Sequence, residues 1–242
     1  MSKLPNAPLL EVIFELRWQI KNKSDLLKYQ YLHGDLYSKV KNKYPYRESL
    51  VPPEVPIDVL INNPVHRFRF NKNDYPLIQV GPGLLTLNTV DSKYHWEEFF
   101  DWSSQLVKYF LEVFPFNDEL FSPSLLYLDF FKFDFKNENV HDFISRYLSI
   151  DLKQRFLKSE NNPNSIDLGF YYEIDLGNLS VTLKKGQNEK KEEGIVMQTM
   201  LHSKSRSAIQ EDILSWLMDA HNFSSKVFKE ITKSDRRSGR II

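Results

Sequence analysis

Residues 9–20 read LLEVIFELRWQI and residues 125–136 read LLYLDFFKFDFK, an offset of 116 positions. In the first stretch Leu10, Val12, Phe14, Leu16 and Trp18 alternate with Glu11, Glu15, Arg17 and Gln19. That is the two-residue period of a strand with one face in a core and the other in water. The second stretch is also strand-like, but Phe130 and Phe131 stand side by side, so a bulge is expected there. Outward from each stretch the chain repeats one order: strand, helix, three strands, long helix.

In the first series Ser24 reads as the N-cap of a helix to about Lys41, ended at Tyr44-Pro45. Residues 51–64, VPPEVPIDVLINNP, read as an extended proline-rich connection. Strands are expected at 65–70, 76–80 and 84–88, separated by Asn73-Asp74 and Gly81-Pro82-Gly83. A helix from Tyr94 to Phe114 carries Trp96, Phe99, Phe100, Leu106, Phe110 and Leu111 mostly at helical spacing, and Pro115 stops it. The second series places a strand at 125–135, a helix from Val140 to about Leu157, and strands near 166–174, 179–185 and 195–201. A final helix follows, with Ile209, Ile213, Trp216, Leu217, Ala220, Val227, Phe228 and Ile231 on one stripe.

The fold class expected is therefore α+β, one pseudo-symmetric domain over residues 1–242. Duplicated β-α-β-β-β-α units, about 6–114 and about 122–235, form one curved antiparallel sheet of about eight strands with the helices on one face, and 236–242 is a flexible tail. By element order this is similar to the TATA-binding-protein-like architecture, and an order of elements carries no function with it. Core burial is expected for Trp18, Phe99, Phe110, Ile213, Trp216 and Phe228.

Composition narrows the function classes. Lys plus Arg number 32 and Asp plus Glu 32, so no global field favours nucleic acid or anionic membrane. The absence of Cys removes disulfides, thiolate nucleophiles and Cys-based zinc sites, and fits a reducing compartment. The amino-terminal MSKLPNAP carries no apolar signal core and no stretch is long enough to span a membrane, so a cytoplasmic location is expected. Eighteen Phe residues point to a thick aromatic layer between sheet and helices.

Residues 75–88, YPLIQVGPGLLTLN, are followed by Tyr94 and by Trp96-Glu97-Glu98-Phe99. Together with residues 6–18, NAPLLEVIFELRW, residues 126–134, LYLDFFKFD, and residues 216–228, WLMDAHNFSSKVF, they span nearly the whole chain. In these segments the chain resembles a sporadically distributed family of uncharacterised bacterial proteins of about this length. The resemblance implies no activity, cofactor or catalytic residue; the family's patchy distribution suggests mobile or defence-associated gene neighbourhoods.

The chemical motifs are sparse. Gly81-Pro82-Gly83 lacks the run of backbone N–H groups and the Lys-Ser/Thr of a phosphate loop, and reads as a tight turn. His95 and Glu98 stand three apart on a helix with no further ligand placed; His221 reads as a packing or hydrogen-bonding histidine; His33, His66, His141 and His202 have no triad-like or metal-spaced company. Glu173, Asp175 and Asp129 with Lys132 suggest a metal-dependent hydrolase only if they converge, and they straddle both faces of their strands. No cofactor or metal site is called for.

What remains is the sheet face opposite the helices. Alternation assigns to it Glu11, Glu15, Arg17, Arg67, Arg69 and Asp129, with Thr182, Lys184 and Gln198. The leading reading is a non-enzymatic cytosolic binding or adaptor protein, acting on a protein partner through this face or the 50–64 loop. The alternative is a nucleic-acid-binding module using Arg17, Arg67 and Arg69 with the basic tail, Lys233, Arg236, Arg237 and Arg240. A hydrolase is the third reading, and self-association stays open.

Overall fold

The computed structural model describes residues 8–115, 119–152 and 162–232. Nine strands form one sheet: β1 (Leu9–Arg17), β2 (Tyr46–Ser49), β3 (His66–Arg69), β4 (Leu77–Gly81), β5 (Leu84–Val90), β6 (Ser122–Lys132), β7 (Asp167–Ile174), β8 (Gly177–Gln187) and β9 (Glu193–His202). Their spatial order is β2-β3-β4-β5-β1-β6-β9-β8-β7, and every neighbouring pair is antiparallel. Four helices accompany it among the described residues: α1 (Lys23–Val40), α2 (Trp96–Val113), α3 (Val140–Leu148) and α4 (Gln210–Ile231).

The register fixes two faces. Val12, Phe14 and Leu16 of β1 stand opposite Tyr127, Leu125 and Pro123 of β6 and opposite Thr89, Leu87 and Leu85 of β5. This face meets the helices. Tyr29 and Tyr37 of α1 reach Val80 and Phe68, Phe110 of α2 reaches Trp18, and His221 of α4 reaches Tyr127. One continuous apolar cluster fills the space between sheet and helices. Trp18, Phe99, Phe110 and Ile213 are buried in it as expected, whereas Trp216 and Phe228 are only partly buried. Trp216 lies at the margin because its indole N–H donates to the Leu176 carbonyl in the β7–β8 turn (2.9 Å).

Several local expectations need correction. Helix α1 is capped by Asn22, not Ser24: the Asn22 side chain accepts from Asp25 N–H, while the Asp25 carboxylate accepts from Lys21 N–H. The ninth strand is β2, YRES, four residues with no apolar alternation, held by backbone pairing to β3. No bulge interrupts β6 at Phe130 and Phe131, which pair in register with Val196 and Ile195. The irregularity falls on β1, where Leu9 faces Asp129 and Glu11 faces Leu128, leaving Leu10 as the extra residue. Helix α3 ends at Leu148, where Ser149 takes a left-handed conformation (φ +50°), so the expected run to about Leu157 is broken; residues 153–161 lie outside the described residues, as do Lys233, Arg236, Arg237 and Arg240.

The proline-rich 51–64 connection is not extended as expected but turns through a 3-10 helix at Ile57–Leu60, and it is laid down on the β4–β5 turn. Asn62 N–H donates to the Pro82 carbonyl, and a Cβ on Gly81 would sit 1.8 Å from the Asn63 carbonyl oxygen. Gly83 has φ +84°, in the left-handed region expected of that turn, and a Cβ there would stand 2.7 Å from Asn62 Oδ1 and 3.1 Å from the Trp18 carbonyl oxygen. Gly83→Val is expected to cost about 1–2 kcal/mol through backbone strain. A urea midpoint unchanged from wild type would disprove that role.

Candidate functional site

The odd-numbered side chains of β1 and their cross-strand neighbours make up the bare face, and they are linked side chain to side chain. At the β2 end, Glu48 accepts from Arg67 (3.3 Å) and lies 3.8 Å from Arg69 Nε. Gln79 of β4, oriented with its carbonyl toward Arg67, accepts from that guanidinium at 3.0 and 2.7 Å. In that orientation the Gln79 amide nitrogen faces Thr86 Oγ of β5 (3.4 Å) and donates to it, Thr86 donates to Asn88 Oδ1 (2.6 Å), and Asn88 Nδ2 donates to Glu11 Oε1 (2.8 Å). A polar chain thus crosses five strands, β2 to β5 and β1. Farther along β1, Arg17 donates to Glu15 (2.9 Å). Across on β6 and β9, Ser124 Oγ lies 2.7 Å from His202 Nδ1, and Ser122 Oγ 3.4 Å from its Nε2.

Although the helices lie on the other side, Arg69, Thr86, Asn88, Ser122 and Ser124 are buried here. Arg69 is 7% exposed, with Asn73 Oδ1 at 3.5 Å and the Tyr75 ring 5.8 Å from its guanidinium carbon. Burial raises the Tyr75 phenol above its ordinary value, with the Glu11 charge adding to it. Burial likewise lowers His202, helped by the Arg17 charge. A neutral His202 between two serines is a hydrogen-bonding element. No carboxylate among the described residues hydrogen-bonds its ring, so these residues do not form a Ser-His-acid relay.

Five of the six expected binding residues, Glu11, Glu15, Arg17, Arg67 and Arg69, lie on this face, with Thr182, Lys184 and Gln198 farther out. Asp129 does not. It pairs with Met197 on the helix side, 3% exposed, and its Oδ2 has no hydrogen-bond partner. Burial, and secondarily Asp91, pushes its carboxyl up to about 7. Beside it Tyr127 lies 2.7 Å from His221 Nδ1 and 3.1 Å from the Tyr94 hydroxyl, and the His221 ring stacks on Trp96 at 3.6 Å. Burial lowers His221 to about 4.

The carboxylates of the hydrolase reading are separated: Asp129 is under the helices, Glu173 is on the outermost strand β7, and Lys132 pairs with Glu192. No group of three or more metal-ligating side chains occurs among the described residues. His95 and Glu98 are exposed at the start of α2. Sequence reading missed Glu48, Gln79, Thr86 and Asn88, which enter the network only through strand register. It also missed His33 and His66, which stack at 3.9 Å between α1 and β3. No protein-family model matches the chain, and no curated protein or solved structure is significantly similar to it. No helix among the described residues is long and apolar enough to cross a membrane.

Proposed function

We propose that the chain is a non-enzymatic, cytosolic binding or adaptor protein whose bare sheet face engages a protein partner. The observation that carries this reading is the hydrogen-bonded chain from Glu48 to Glu11, which holds polar groups in fixed positions without a helix over them. Side chains already ordered lose less freedom when a partner arrives, which is the basis of preorganised recognition. The arginines also favour protein over nucleic acid. Arg17 is matched by Glu15 and both Arg67 and Arg69 by Glu48, whereas phosphate binding gains from cations that lack internal counter-charges.

Arg17→Ala with Arg67→Ala leaves the buried Arg69 in place and tests the reading without threatening the fold. Partner recovered from host lysate by the immobilised double variant should fall about tenfold or more, the loss of one interface hot spot, while circular dichroism stays unchanged. Equal recovery would remove this face from the function. Binding of an oligonucleotide that weakens steeply with salt would favour the nucleic-acid alternative instead.

The chain also reads as an internal duplication in the TATA-binding-protein-like order. What supports this is the central position of β1 and β6, with β5 and β9 on their outer flanks and α1–α2 and α3–α4 following in the same sequence. The strand β2 is then an addition to the first unit.

A further inference from the structure

Strand β7 ends the sheet, with β8 as its one neighbouring strand among the described residues. Lys185 N–H donates to the Ile166 carbonyl, and those residues stand directly opposite in the β7–β8 register. Antiparallel pairs alternate, so Leu168, Phe170, Tyr172 and Ile174 turn their backbone groups toward β8. The N–H and C=O groups of Asp167, Gly169, Tyr171 and Glu173 therefore point outward, a template for another strand.

The side chains on the helix side of this edge are apolar, and on the bare face Tyr171 stands between Asp167 and Glu173. Tyr171 is 76% exposed and its ring lies over Gly169 on the bare face. Tyr172 is 51% exposed on the helix side, where with Phe170, Ile174, Leu148 and Val227 it borders a groove of about 530 Å³. That volume is of the size that takes ligand groups. Asp167 and Glu173 mark the two ends of the edge. Lys184 and Lys204 hold them from the inner side, and both carboxylates remain strongly exposed.

A second copy of the chain is the wrong occupant. Outward-pointing residues of β7 are odd-numbered, so self-pairing must set odd against odd. The register that keeps the whole strand in contact places Asp167 against Glu173 at both ends, and like charges directly opposite are unfavourable.

We propose that the outer edge of β7 takes an extended segment of a partner protein as an added strand, with apolar side chains at alternate positions for the groove and a lysine or arginine at each end for Asp167 and Glu173. This surface is separate from the polar network around β1 and stands without it. Main-chain bonds supply the affinity and the groove with the two carboxylates supplies selectivity.

The probe is a fluorescein-labelled, amidated peptide, Lys-Val-Thr-Val-Thr-Val-Lys, titrated with the full chain by anisotropy against its Glu-ended counterpart. Its three valines face the groove and its lysines face the carboxylates. Saturable binding of the Lys-ended peptide is expected, with the Glu-ended one weaker by about tenfold, a difference of about 1.4 kcal/mol. Tyr171→Pro removes one outward N–H while leaving the β8 ladder intact, and should abolish binding. Should that variant lose its circular dichroism, Asp167→Lys with Glu173→Lys carries the test, since it should invert the preference between the peptides. Equal affinity for the two peptides, no saturation of the wild type below about 1 mM, or no inversion would overturn the proposal. So would a wild-type dimer in sedimentation that Tyr171→Pro dissolves.

Discussion

Phe110→Ala is expected to lower the unfolding free energy by about 3–5 kcal/mol, a large part of the total of a typical domain. Phe110 is fully buried, and its ring centroid lies 5.3 Å from Trp18, 5.0 Å from Phe114 and 5.3 Å from Phe121. Trp18 follows β1 and Phe121 precedes β6, so the ring closes the joint between the two central strands and α2. Truncation removes its own transfer energy and leaves a cavity that these three elements cannot collapse to fill. Leu111→Ala, one position round the same helix and only partly buried, is the control and should cost less. Urea titration with an unchanged m-value measures both. A loss for Phe110→Ala no larger than the control's would show that the aromatic cluster does not hold the joint.

Asp129→Asn is expected to change the pH dependence of stability more than any other single substitution. In the folded chain burial holds the Asp129 carboxyl near 7, against about 3.8 when it is free in water. The folded state therefore binds the proton more tightly, and stability is fully present below about pH 4 and is lost as pH rises through about 7. At about 1.36 kcal/mol for each unit of pH across that window, the difference is on the order of 4 kcal/mol. His221 works in the opposite direction. Its value is lowered from 6.5 to about 4, so its contribution is lost as the solution is acidified below about pH 6.5. His66, also lowered to about 4, acts likewise, its burial reinforced by the charges of His33 and Arg47. The wild-type profile sums these with the other shifted groups, His33 and His202 among them, and the variant-minus-wild-type difference isolates Asp129. That difference should grow in favour of Asn from pH 4.5 to pH 8 in urea titrations. A difference independent of pH would show that the carboxyl is ionised normally.

The strand Leu9 to Arg17 could be read from sequence because its core side alternates with charge. Glu11, Glu15 and Arg17 therefore fell on the correct face. Asp129 did not, because β6 runs through the middle of the sheet and is apolar on both faces. Leu126, Leu128 and Phe130 occupy the bare side, while Tyr127, Phe131 and Phe133 occupy the helix side. Alternation then carries no phase. The β2 strand was invisible for a related reason, since four mixed residues at an edge are held by backbone pairing rather than by a pattern. Glu48, Gln79 and Asn88 look like ordinary surface polar residues in the sequence. They meet Arg67 and Glu11 only once the register of five strands is set. Gly83 was legible because a turn between two strands leaves few other uses for that residue.

The side-by-side placement of β1 and β6 has a consequence for biosynthesis. During translation β1 and its partners β5, β4 and β3 leave the ribosome well before β6, which begins 113 residues after β1 begins. Until then β1 is a bare margin, with a long row of unsatisfied amides and the apolar Phe14 and Leu16 beside it. Such an intermediate is prone to pair with other nascent chains, and closing so distant a contact is slow. Slowing elongation between residues 90 and 132 should therefore increase aggregation of this chain, while a chaperone that shields strand margins should relieve it.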